Sequence, residues 1–198
     1  MTLVKKEKQV PFSRLSKADK RRTIARDALT QLKIGITQAQ QGEFIDLENQ
    51  ELPEDKIQLN KILSDIRGCQ VCGLGSLALA HIDRFNKCEV SASNYTDGGT
   101  LQCRINLQNR LNGIFSYEQL NSIETAFEKD VMISVSDELD YGSLAFGCKY
   151  ENNTDRLVAI LKNIIKNGEF KLPKWAIKEG EVMKERDEDD GSENFGGY

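Results

Sequence analysis

Cys69, Cys72, His81 and Cys88 are the residues whose types and spacing could do chemistry. They fall in one stretch, residues 68–88, reading Gly-Cys-Gln-Val-Cys-Gly-Leu-Gly-Ser-Leu-Ala-Leu-Ala-His-Ile-Asp-Arg-Phe-Asn-Lys-Cys. It holds three of the five cysteines and the only histidine, so thiol or metal chemistry has to start there. A Cys-x2-Cys pair followed by His81 and Cys88 offers four ligands of the kind structural zinc takes. Against zinc, His81 and Cys88 lie about 10 Å apart along the axis of the expected helix, too far for one ion. Cys72 stands near the expected helix start, where the macrodipole favours a thiolate. A nucleophile needs a base within hydrogen-bond reach, and His81 falls more than two turns away on the opposite face. A redox Cys-x-x-Cys follows a strand in a βαβ setting, whereas a helix and Gly68 are expected to precede this pair. The reading is therefore of buried, reduced thiols packing as small hydrophobes. His81 lies on an apolar face with its nitrogens satisfied locally, and no catalytic residue, metal or cofactor is assigned.

The remaining candidates are charged. From Met1 to Ile34 ten basic residues oppose three acidic ones, and from Glu179 to Tyr198 eight acidic residues oppose two basic ones. Opposite charge at the two ends suits attraction within or between chains. Lys20, Arg21, Arg22 and Arg26 fall on the outer face of the first expected helix. With Asp189, Asp190, Phe195 and Tyr198 of the acidic end they are the candidate partner contacts. Lys17 joins the basic set for a nucleic-acid reading, in which binding weakens steeply with salt. No aromatic residue interleaves with these charges after Phe12, so a base-stacking platform is not expected. Asp137, Glu138, Asp140 and Glu151 lie in an expected loop, residues 136–153, but their spacing matches no calcium loop.

The elements that position these residues are mainly helical. Ser16-x-x-Asp19 and Ser116-x-x-Gln119 read as helix starts. Ile24, Ala25, Ala28, Leu29 and Leu32 form one apolar stripe; Tyr117, Leu120, Ile123, Ala126 and Phe127 form another; Leu157, Ile160, Leu161, Ile164 and Ile165 form the most regular one, closed by Gly168. Pro53 opens an expected helix striped by Leu59, Ile62, Leu63 and Ile66, and Asn112-Gly113 ends a short one over 105–111. The stretch from Leu74 to Phe85 is apolar nearly all round, which marks an internal helix. Trp175 is expected to anchor the segment after Gly168 on the core. The fold class is mainly α, or α+β: a single domain of five to seven helices over 16–178, with a small strand pair near Phe44, Val90 and Val131. A basic flexible arm, 1–15, and an acidic disordered tail, 179–198, flank it.

Three segments together resemble a family of uncharacterised bacteriophage and bacterial proteins. They are Cys69-x-Val-Cys-x-Leu-Gly-x-Leu-x-Leu79, Phe115-Ser-Tyr-Glu-Gln-Leu-x-x-Ile-Glu-x-Ala-Phe-Glu128 and Arg156-Leu-Val-Ala-Ile-Leu-x-Asn-Ile-Ile-x-Asn167. The resemblance implies a phage accessory protein acting in a host cytoplasm and carries over no catalytic residue. The charged N-terminus lacks a secretory h-region, no stretch is long enough to span a bilayer, and the odd cysteine count suits a reducing compartment. The expectation is a non-enzymatic interaction protein with a protein partner. Nucleic-acid binding through the basic helix, and a zinc or thiol enzyme at Cys69 and Cys72, are the alternatives.

Overall fold

The computed structural model describes residues 11–42, 44–46, 57–58, 61, 67–85, 89–90, 110–129 and 140–192. Among these, six α-helices and five short strands follow a single 3-10 turn at Phe12–Arg14. The helices are α1 (Lys17–Lys33), α2 (Gly73–Phe85), α3 (Tyr117–Glu128), α4 (Tyr141–Cys148), α5 (Asn153–Asn167) and α6 (Lys174–Ser192). The strands are β1 (Thr37–Ala39), β2 (Ile45–Asp46), β3 (Ile57–Gln58), β4 (Cys69–Val71) and β5 (Glu89–Val90). The protein is mainly helical, as the stripes require.

The helix ends carry the expected chemistry. The Ser16 hydroxyl accepts from the Asp19 amide at 3.1 Å and starts α1. Ser116 and Gln119 form a reciprocal capping box on α3. Asn152 accepts from the Asp155 amide at 2.8 Å, and Gly168, with φ 77°, closes α5 in the left-handed conformation that glycine adopts without strain. The inner stripe of α5, with Leu157, Ile160, Leu161 and Ile164 fully buried, packs on α1, and α2 packs on α1 and α3.

Strand order in the central sheet is β1-β4-β2, with β1 parallel and β2 antiparallel to β4. Thr37 pairs with Cys69 and Ile45 with Val71. The strand expected near Phe44 is β2 and that at Val90 is β5, but the two do not pair. β5 pairs with β3 in a separate two-stranded sheet, and Val131 lies outside the described residues. Within the span of the helix expected from Pro53, Ile57 and Gln58 form β3, with Ile57 paired in register with Val90, and Leu59, Ile62, Leu63 and Ile66 lie outside the described residues.

Three expected boundaries move. Cys69 lies in β4, because the chain stays extended to pair with β1 before turning into α2. The expected loop over 136–153 contains α4, masked in the sequence by two glycines and by apolar residues with no period. Tertiary contact makes that helix: a side chain at Gly147 would run into the Ala126 carbonyl of α3, so only glycine lets the two backbones approach. The expected break at 178/179 falls inside α6, which runs to Ser192. Its first half packs on α4, with a close approach at Gly142 and Gly180, and its later residues from Lys184 to Arg186 are exposed. The last part of the expected flexible arm is ordered: the Phe12 ring lies 4.4 Å from that of Phe85.

Candidate functional site

The thiols are built into the core. Cys69 and Cys72 are buried and free; Cys69 opens β4 and Cys72 follows it, while residues 62–66, where a helix is expected before the pair, lie outside the described residues. Cys72 immediately precedes α2, and its Sγ accepts from the Gly75 amide at 3.4 Å. The helix start thus favours a thiolate, as read from the sequence, but burial outweighs it. Loss of water pushes the Cys72 thiol up to about 12, against the pull of the Gly75 and Leu74 amides. Burial, with a smaller contribution from Asp46, pushes Cys69 to about 12. Both sulfurs are held as thiols at neutral pH, the weaker nucleophile.

His81 is half-buried, its ring 4.8 Å from that of Phe85. Burial, then the charge of Arg110, holds its imidazole below the ordinary value. Its nitrogens are not both satisfied as expected: Nδ1 is buried without a hydrogen-bond partner among the described residues. No group of three or more His, Cys, Asp and Glu side chains converges on a metal position among the described residues, and Cys88 lies outside them.

The basic face of α1 is largely spent on the fold. Arg21 Nε donates to the Ile114 carbonyl at 2.7 Å and Nη1 to that of Gly168 at 3.2 Å, with its guanidinium over the Phe115 ring. It closes the C-terminal end of α5, where partial negative charge gathers. Lys20 Nζ lies 5.8 Å from the Phe12 ring centroid. Arg22 pairs with Asp19 at 2.9 Å while lying against Gly168. Arg26 is exposed. Asp189 and Asp190 belong to the last turns of α6; Phe195 and Tyr198 lie outside the described residues.

The site that geometry picks out lies instead on the outer face of α5. A groove of about 850 Å³, open to solvent, runs along this helix. That volume is in the range of ligand-binding clefts. The inner stripe of α5 faces the core, so the positions between, at three- and four-residue steps, face outward. Val158 and Ala159 form the floor with Leu172 and Pro173 from the α5–α6 connection. Lys162 and Lys166, one turn apart, line it from α5, and Lys171 and Lys174 line it from the connection and the start of α6. Tyr150 and Phe146 contribute as well, and Asp155 is the single carboxylate in the lining. None of the four lysines has an ion partner among the described residues.

Asn163 builds the groove wall. Its Nδ2 donates to the Lys171 carbonyl at 2.8 Å, and its Oδ1 accepts from the Lys171 amide at 2.9 Å. Oδ1 also accepts from Asn167 at 3.0 Å. This pins the connection beside α5 and sets Lys171 in the same groove as Lys162 and Lys166. At the other end, Trp175 stacks on Phe146 at 5.9 Å, and Lys149 Nζ sits 4.3 Å from the Trp175 ring centroid. Trp175 is 39% exposed, so it anchors through one ring contact and not by full burial. Burial raises the Tyr150 phenol above its ordinary value and keeps it neutral.

Sequence reading passed over this groove. The available signal was four lysines against only Glu169 over residues 162–174, obscured because Lys166 also reads as an ordinary helix-end cation. No family model, curated protein or solved structure matches the chain. No helix among the described residues is long and apolar enough to cross a membrane.

Proposed function

We propose that this chain is a non-enzymatic interaction protein, an accessory protein of phage descent working in a bacterial cytoplasm, whose α5 groove holds an acidic amphipathic segment of a protein partner. The observation that carries this is the lining itself: four lysines without carboxylate partners among the described residues, around an apolar floor of Val158, Ala159, Leu172 and Pro173. Such a lining suits a ligand with carboxylates on one side and apolar side chains on the other. A phosphate backbone has no apolar surface to fill the floor. The ring best placed for base stacking, Trp175, already has Phe146 and Lys149 against it. The phage descent rests on the three segments that resemble phage and bacterial proteins.

Fluorescence anisotropy tests the reading with a labelled helical peptide carrying Glu/Asp on one face and Leu/Phe on the other, beside a labelled 20-nucleotide single strand and a duplex. The expected outcome is peptide binding that weakens with salt and falls at least about tenfold in K162E/K166E, a loss of about 1.4 kcal/mol. Tight binding of either nucleic acid with none of the peptide replaces this reading with the nucleic-acid one.

A further inference from the structure

We infer that the occupant of the groove is the acidic C-terminal end of a second copy of this chain, so that the protein associates head to tail. The inference rests on the groove being a site for an acidic amphipathic segment, and names that segment.

The chemistry matches on both sides. Residues 185–198 carry six carboxylates against Arg186 alone, and they end in Phe195 and Tyr198. The groove presents four lysines against Asp155, around an apolar floor. The carboxylates answer the lysines, and the two aromatics supply apolar groups for Val158, Leu172 and Pro173. The same chain therefore holds both halves of a charge-complementary contact.

Within one chain the length of α6 separates the two halves. α6 starts at the groove with Lys174 and runs along α4, Trp175 lying against Phe146 and Gly180 against Gly142. By Ser192 the helix has carried the chain about 27 Å from Lys174. The remaining six residues, fully extended, reach back about 21 Å. The straight run of α6, packed on α4 over its first half, thus favours contact with the groove of another copy over a return to its own. Such a contact uses different surfaces on the two copies, so it propagates into chains or rings instead of stopping at a two-fold dimer. It also makes the groove competitive: an external acidic segment displaces the neighbouring copy, and salt weakens both.

Light scattering coupled to gel filtration tests this on the full-length protein at about 100 µM in 50 mM and 500 mM salt. The expected result is a mass that grows with concentration at low salt and falls to the monomer at high salt. K162E/K166E, with the groove reversed, and E188K/D189K/D190K, with the end reversed, should each elute as monomers. Circular dichroism unchanged from wild type shows that both still fold. Mixed one to one, they should associate again, since one intact groove and one intact end remain. A wild type that stays monomeric at low salt overturns the inference. So does a dimer that survives both reversals, or a mixture that gives no dimer. If the wild type is monomeric yet the labelled acidic peptide still binds the groove, self-association falls while the proposed function stands.

Discussion

Two regions invite comparison: the β4–α2 junction and the outer face of α5. The first carries two cysteines, with the only histidine further along α2, the residue types most associated with catalysis and metal binding. The second gathers lysines, the commonest surface cations. Burial reverses their standing. At β4–α2 desolvation raises both thiols and lowers the imidazole, so each group is held in its neutral form. On α5 the lysines stay exposed, and the connection pinned by Asn163 brings four of them to one groove. Residue type alone ranks the two regions in one order, and environment ranks them in the other.

The sharpest way to break the comparison is to open the interior. A Cβ at Gly75 would meet the Phe44 carbonyl, a backbone atom that cannot swing aside. Gly75→Ala should therefore cost about 3 kcal/mol or more, or prevent folding, as read from urea unfolding. If it costs less than about 1 kcal/mol, the junction is looser than described and its thiols are less shielded.

Next comes the buried arginine of α5. Arg156, 1% exposed, donates to the Phe127 carbonyl at 2.6 Å and the Tyr150 carbonyl at 3.2 Å, closing the ends of α3 and α4 from within α5. Its Nε lacks a partner among the described residues, and burial lowers its pKa. Arg156→Met keeps the volume but leaves both carbonyls without these donors, so unfolding should ease by about 2 kcal/mol. An unchanged urea midpoint would mean water replaces the guanidinium.

The groove lysines should behave in the opposite way. K162E/K166E removes peptide binding by at least about tenfold, yet should shift stability by no more than about 0.5 kcal/mol, as surface changes do. A large loss of stability in that variant would make these lysines part of the scaffold.

The smallest expected effect is a pH slope. Burial and Arg110 hold His81 below its ordinary pKa in the folded protein. The unfolded chain therefore takes up a proton at about pH 6.5, before the folded one does. This contribution to stability is complete above about pH 6.5 and is lost as pH falls toward the folded value. His81→Gln should flatten the difference between urea midpoints measured at pH 7.5 and pH 5.5, relative to wild type. Equal slopes in both proteins would mean that the ring protonates freely.

Much of the fold was legible. Ser16, Ser116 and Gly168 marked helix ends, and the stripe Leu157, Ile160, Leu161, Ile164 fixed which face of α5 turns inward. These are local signals, carried by backbone hydrogen bonds at helix ends and by a period of 3.6 residues. α4 was not legible, because Tyr-Gly-Ser-Leu-Ala-Phe-Gly-Cys has no apolar period and its helix exists to fit between α3 and α6. β4 was hidden as well, since its extended form depends on pairing with β1 some thirty residues earlier. Arg21 read as a surface cation because nothing local says that it will meet Ile114 and Gly168 across the fold.

By itself, the amino-acid order determined that the protein is mainly helical, which helix faces turn inward, and where its charges lie along the chain, because each depends on neighbours within a turn or two. Tertiary structure alone decided which of those charges stay free and which reactive groups are silenced. Both outcomes depend on how much water remains around a group, and that depends on segments far apart in the chain.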